Sequence, residues 1–181
     1  MTSGDKSIED TFIEAATRQL DASAAKIEHC LRQLNDNQLW WQPTAGQNSV
    51  GNLLLHLSGN IRQWIISGVG GAKDVRDRPR EFVAKPDIPR DALLASFRQT
   101  VAEARRTLAA CDAASLLRER RIQGYETTGL TAVFDTVAHF QGHTQEIISL
   151  TRQQLGDAYE FHWTPATAEE MSAQNSEPSD N

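Results

Sequence analysis

Residues 130–155 read LTAVFDTVAHFQGHTQEIISLTRQQL. Val133, Val137, Phe140, Ile147, Ile148 and Leu150 recur at three- and four-residue spacing with no internal proline, which predicts a long amphipathic helix. Gly156 follows at once and suits a left-handed C-terminal stop. Inside this helix His139 and His143 stand four residues apart in HFQGH, one above the other on a single face. At about 100° per residue, with His139 as zero, His143 lies near 40°, Leu150 near 20°, Ile147 near 80° and Phe140 near 100°. Gln141, Gln145, Ser149 and Arg152 occupy the opposite arc. Both imidazoles therefore fall within or beside the inward-facing side, where ring nitrogens need partners. Glu146 projects close to the His139 direction and can hydrogen-bond an imidazole, ligate a metal or act as a base.

Three further segments carry the same periodicity. The first runs from about Lys6 to Asn35, with Ile8, Phe12, Ala16, Leu20, Ile27, Leu31 and Leu34 as its stripe. The second is capped by Asn48 or Ser49 and continues through about Ser67, with Leu53, Leu57, Ile61, Trp64 and Ile65 on its apolar side and Gly68, Gly70 and Gly71 ending it. The third covers about Arg90 to Cys111, with Leu94, Phe97, Val101, Ala104 and Leu108. Between the second and third lies a proline-bearing stretch, Ala72 to Pro89, that predicts a crossover without regular structure. Residues 113–128 are compatible with a helical turn followed by an extended piece around Gly124. Four long helices without alternating strands predict an all-α, four-helix bundle with a long crossover between helices 2 and 3. One domain over residues 1–163 and a disordered acidic tail over 164–181 complete the expected organisation.

Charge narrows the partners. Of 24 acidic residues, six lie between Asp157 and Asn181, where there is no Lys or Arg, so the preceding residues balance at 18 acids and 18 bases. A neutral body lacks the clustered basic surface of a nucleic-acid or anionic-membrane binder, so neither partner is expected. No apolar run approaches a membrane span, and MTSGDKSIED does not read as a signal peptide, so a cytoplasmic location is expected. Cys30 and Cys111 are widely separated and each lies in an apolar helical pattern, which reads as core.

His56 interrupts the apolar run LLLHL in the second helix and should also face inward. His56, His139 and His143 are then equally well explained as a three-histidine metal site or as core imidazoles satisfied by hydrogen bonds. Asn60 and Gln63 follow His56 on a similar face, suited to orienting a ligand or contacting substrate. His29 and His162 have weaker claims. The position after His139, where a zincin places its general base, is Phe140, which argues against a metalloprotease. Three neutral imidazoles leave an open position for water or a thiol, a donor set that fits zinc, nickel, copper or iron, of which zinc or nickel is the expected ion. Arg76, Arg78 and Arg80 offer guanidinium groups for carboxylates, although a solvated loop is the simpler reading.

The order WWQPTAGQNSVGNLLLHLSGN (residues 40–60), a crossover, then VAHFQGHTQEI (residues 137–147) resembles the DinB-like superfamily of metal-binding helical bundles, over about residues 8–163. The resemblance implies a divalent ion held by His56, His139 and His143, and often a homodimer. It also implies a thiol S-transferase or hydrolase acting on a small-molecule substrate, with a low-molecular-weight thiol as a further cofactor. Glu146 is then the expected acid or base. The alternative is a noncatalytic metal-binding bundle with a structural, dimerisation or stress-related role.

Overall fold

The structure is a computed structural model and describes residues 6–82 and 88–163. The expected tail, 164–181, lies outside these residues. The described elements are α1 (Ile8–Gln33), α2 (Asp36–Leu39), α3 (Val50–Ile61) followed by a π-helical segment (Arg62–Val69), and α4 (Arg78–Phe82). They continue with α5 (Arg90–Ala109), α6 (Ala113–Leu117), β1 (Glu119–Ile122), β2 (Tyr125–Thr128), α7 (Gly129–Leu155) and a short 3-10 turn (Gly156–Ala158).

Local chemistry accounts for the helix ends. Ser7 caps α1 by accepting from the Asp10 amide, and Glu9 and Asp10 place negative charge in its first turn, where the helix dipole favours it. Ser49, one of the two caps expected from sequence, starts α3 in a reciprocal capping box with Asn52. Thr128 caps α7, and Gly156 ends it at positive φ.

The four long helices are α1, α3 with its π extension, α5 and α7. The extensive interfaces are α1 with α7, α1 with α5, α3 with α5, and α3 with α7. Helices α1 and α3 therefore sit on one diagonal of the bundle, and α5 and α7 on the other, an order distinct from a simple up-down meander. Phe97 of α5 and Phe140 of α7 reach across this second diagonal and stack with ring centroids 6.0 Å apart, both fully buried. Leu20, Ile27, Leu31, Leu53, Leu54, Leu57, Ile61, Val133 and Ile147 close around them. Ile8, counted in the apolar stripe of the first helix, is instead 85% exposed, because α1 begins there and its first turn projects past the core.

Two features depart from the sequence expectation: the π-helical end of the second long helix, and the short helix α4 in a crossover expected to lack regular structure. The second long helix does not remain α-helical to Ser67: from Arg62 it widens into π geometry, with the Gly70 amide bonding the Ile65 carbonyl at 2.9 Å. The wider turns bury Ile65, Ile66 and Val69 together. Ile65, Ile66 and Val69 stand one, three and four positions apart and share a face in an α-helix and a π-helix alike, so the apolar pattern could not separate them. The extended piece around Gly124 is a two-stranded antiparallel hairpin in the register Glu119 with Thr128 and Ile122 with Tyr125. Its two turn residues, Gln123 and Gly124, both have positive φ (53° and 87°), which matches the turn to the twist of the strands. Arg120 fastens the hairpin to the π segment by donating to the Gly68 carbonyl, and to α6 by donating to the Ser115 carbonyl. Ile122 packs against Gly68, where a side chain would collide with it.

Among the described residues, no helix is long and apolar enough to cross a membrane.

Candidate metal centre

The i, i+4 spacing on α7 and the inward position on α3 bring His56, His139 and His143 together. Each offers a ring nitrogen within 4.8 Å of those of the other two. Ring centroids are 5.0 Å apart for His56 and His139, 5.1 Å for His56 and His143, and 4.5 Å for His139 and His143. His56 Nε2 and His139 Nε2 face each other at 2.9 Å.

The rings form part of the wall of a cleft of about 940 Å³. Asn60 and Trp64 line it from the α3 rod, Arg78 and Phe82 from α4, Tyr125 from the hairpin and Asp135 from α7. Trp64 and Tyr125 lie 6.5 Å apart, so the hairpin supplies one aromatic edge of the opening. Asn60 Oδ1 is buried and has no hydrogen-bond partner among the described residues.

Two carboxylates hold the outer nitrogens of two of the rings. Glu146 Oε2 lies 2.7 Å from His143 Nδ1, and Glu81 Oε2 lies 2.9 Å from His56 Nδ1. Glu146 thus reaches the centre through His143, one turn before it on α7, although its angular position had aligned it with His139. Its side chain is half exposed, whereas Glu81 is buried. Burial pushes the His56 imidazole below the usual histidine range, against the opposing pull of Glu81. Burial, reinforced by the neighbouring His143 and His56, lowers His139 to about 4. At neutral pH both rings are uncharged and have lone pairs available.

This donor set fits a divalent ion. Three imidazoles from two packed rods converge, and the outer nitrogens of two are tied to carboxylates, the arrangement that orients metal-binding histidines.

Comparison with known proteins places the chain. Residues 7–166 match a family described as "Protein of unknown function (DUF1572)". The chain belongs to this DinB-like family. The crystal structure of a DinB-like protein from Bacillus cereus ATCC 10987 is similar to this DUF1572 protein, with a TM-score of 0.63 and 18% sequence identity. The similarity covers 79% of this chain and 90% of that one, and at such identity it speaks for the fold. No curated protein matches the sequence.

The sequence singled out the three clustered histidines of this DUF1572 protein but missed Glu81. That residue lies 25 positions from His56 in the crossover, beyond any helical spacing rule. Its only local signal was an acid among Arg76, Arg78 and Arg80 in a chain otherwise read as solvated loop. The loop reading is corrected for Arg76: its side chain is 3% exposed and donates to both oxygens of Glu81, at 2.6 and 2.8 Å. Arg80 is exposed, as expected for a solvated loop. Gln63 accepts from Arg76 and donates to Asp74, so it serves the crossover. His29 accompanies Glu160 and His162 near the end of the chain, apart from the triad.

Proposed function

We propose that this protein binds a divalent metal ion, zinc or nickel, through His56, His139 and His143 and uses it in an enzymatic reaction on a small molecule. The observation that carries the proposal is the convergence of three imidazoles, at least two of them neutral, in the wall of a cleft large enough for a substrate. An ion held by three neutral imidazoles supplies a Lewis acid that favours the ionised form of a water or a thiol at neutral pH. Thiol S-transfer and hydrolysis are the two reaction classes this suits.

The chain's own residues would do the rest. Asn60 lines the cleft and is assigned a substrate-contacting role, its Oδ1 having no partner among the described residues, and the aromatic side chains of Trp64, Phe82 and Tyr125 cover the apolar part of a bound molecule. Glu146 holds His143 through Nδ1 and is assigned the acid–base role through its other carboxylate oxygen, since a metal-bound His143 has no second ring proton to relay. A thiol substrate must come from outside the chain. Neither cysteine lines the cleft, and burial pushes both thiols above their ordinary range. A low-molecular-weight thiol meets that requirement.

The test is metal analysis of protein purified without an affinity tag, beside His139→Ala and His143→Ala. Near-stoichiometric metal in the parent and its loss in both variants is the expected result. Full metal content in the variants overturns the ligand assignment. Conjugation of small electrophiles with several thiols, and ester or amide hydrolysis, then separate the reaction classes. Glu146→Gln should retain metal while activity falls; unchanged turnover would remove its acid–base role.

A further inference from the structure

The crossover that leads from the second long helix to the third places a buried ion pair directly behind His56. Glu81 is 7% exposed and the Arg76 side chain 3%. Arg76 grips both carboxylate oxygens of Glu81, while its remaining amino group donates to Gln63 Oε1 at 2.9 Å. The backbone of Glu81 is anchored separately, its carbonyl accepting from Asn52 Nδ2 at 3.0 Å. Asn52 is itself the capping-box partner of Ser49 at the start of α3. The carboxylate lies over Gly59. A Cβ built there would overlap Glu81 Oε1 and stand 2.9 Å from Cδ and 3.0 Å from Arg76 Nε, so a bare backbone makes room for the acid.

The consequence concerns which nitrogen of His56 carries its proton. Nδ1 has two neighbours, Glu81 Oε2 at 2.9 Å and Arg76 Nη2 at 3.2 Å. An unprotonated Nδ1 would set its lone pair against that of a buried carboxylate oxygen. A protonated Nδ1 donates a charge-assisted bond to it, and Arg76 already has acceptors in Glu81 and Gln63. The proton therefore belongs on Nδ1, and the Nε2 lone pair faces His139 Nε2.

We propose that Glu81, gripped by Arg76 and seated over Gly59, is a positioning residue that holds His56 as its Nδ1–H tautomer, with Nε2 presented to the shared centre. The crossover is thereby a working part of the site. This inference rests on the metal reading above for its purpose, but the orientation it assigns exists in the metal-free protein.

The experiment uses the full chain and two variants, Glu81→Gln and Gly59→Ala, neither of which removes a ligand. Long-range proton–nitrogen spectra of the metal-free parent should show His56 as the Nδ1–H form, and both variants should show a mixture with the Nε2–H form. Affinities for Zn²⁺ and for Ni²⁺, measured against a competing chelating dye, should weaken about 10–100-fold in each variant, the usual effect of losing such a partner. Thermal unfolding of the metal-free forms separates positioning from fold support. Lower melting temperatures with an unchanged tautomer and unchanged affinity overturn the proposal, as does an Nε2–H form of His56 in the parent. A parent that takes up neither metal overturns the metal reading instead, and the spectra still decide the orientation. Should Gly59→Ala fail to fold, Glu81→Gln carries the test alone.

Discussion

His143 and His56 illustrate how differently two similar side chains are held. His143 is steadied by Glu146, three residues on along the same half-exposed helix face, and helical spacing alone brings the two together. His56 is steadied by a residue 25 positions away, buried and clamped by an arginine. A buried carboxylate of this kind is costly unless its oxygens are satisfied, and here every donor is in place. The cysteines present the opposite case, side chains that burial silences. Burial raises the thiols of both Cys30 and Cys111, so little thiolate is present near neutral pH. With Ellman's reagent at pH 7, Cys30 in the folded protein should react far more slowly than after guanidinium unfolding, and Cys111, half buried, at an intermediate rate. Rapid labelling of Cys30 in the native protein would contradict its burial against α7.

At the scale of elements, α7 brings chemistry and packing into one helix. His139 lines the cleft while its neighbour Phe140 fills the bundle centre against Phe97. Phe140→Ala should therefore destabilise the protein by about 3–5 kcal/mol, as large-to-small changes in a close-packed core do. Denaturant melts check this, and a cost under about 1 kcal/mol would mean that the two phenylalanines do not share the core.

Between α1 and α5 the connection is electrostatic as well as apolar. Arg98 donates to both oxygens of Glu28, and its guanidinium holds that carboxyl below the usual glutamate range. The sign follows from linkage. A depressed folded pKa means that the unfolded chain binds the proton more readily, so the contribution is present above the unfolded glutamate value. It is lost as pH falls through the folded value. Arg98→Ala should accordingly lower the melting temperature slightly at pH 7 and by progressively less as pH falls below the usual glutamate range. Because Arg98 is exposed, added salt should shrink the difference.

The whole molecule is a bundle in which α3 and α5 pack as neighbours yet are joined by a long crossover, and that crossover supplies a residue beside the candidate metal centre. If the ion binds the folded chain and not the unfolded one, removing it should cost stability in proportion to its occupancy. At a hundredfold excess over its dissociation constant the effect is about 2.7 kcal/mol. For a chain of this size that corresponds to a fall of roughly 5–10 °C in melting temperature on chelation. The parent should show it and His139→Ala should not; an equal fall in both would place the stabilising ion elsewhere.

Much of this architecture is legible in one dimension. Helical periodicity delimits the four long helices, Ser49 and Gly156 mark ends where capping chemistry demands them, and the fourfold spacing of His139 and His143 needs only an α-helix to become a face. His56 could be aimed inward for the same reason, since it lies within an apolar stripe. These are short-range consequences of 3.6 residues per turn, and any chain with that pattern carries them.

Only the tertiary fold decided the remainder. The π turns after Ile61 depend on burying Ile65, Ile66 and Val69 together. The hairpin depends on two positive-φ residues and on Arg120 finding the Gly68 carbonyl. Glu81 meets His56 because Asn52, Gly59 and Arg76 seat α4 against α3. Contacts between residues far apart in the chain follow from how the rods pack, and the periodic stripe that marks a buried face does not say which other residues it meets.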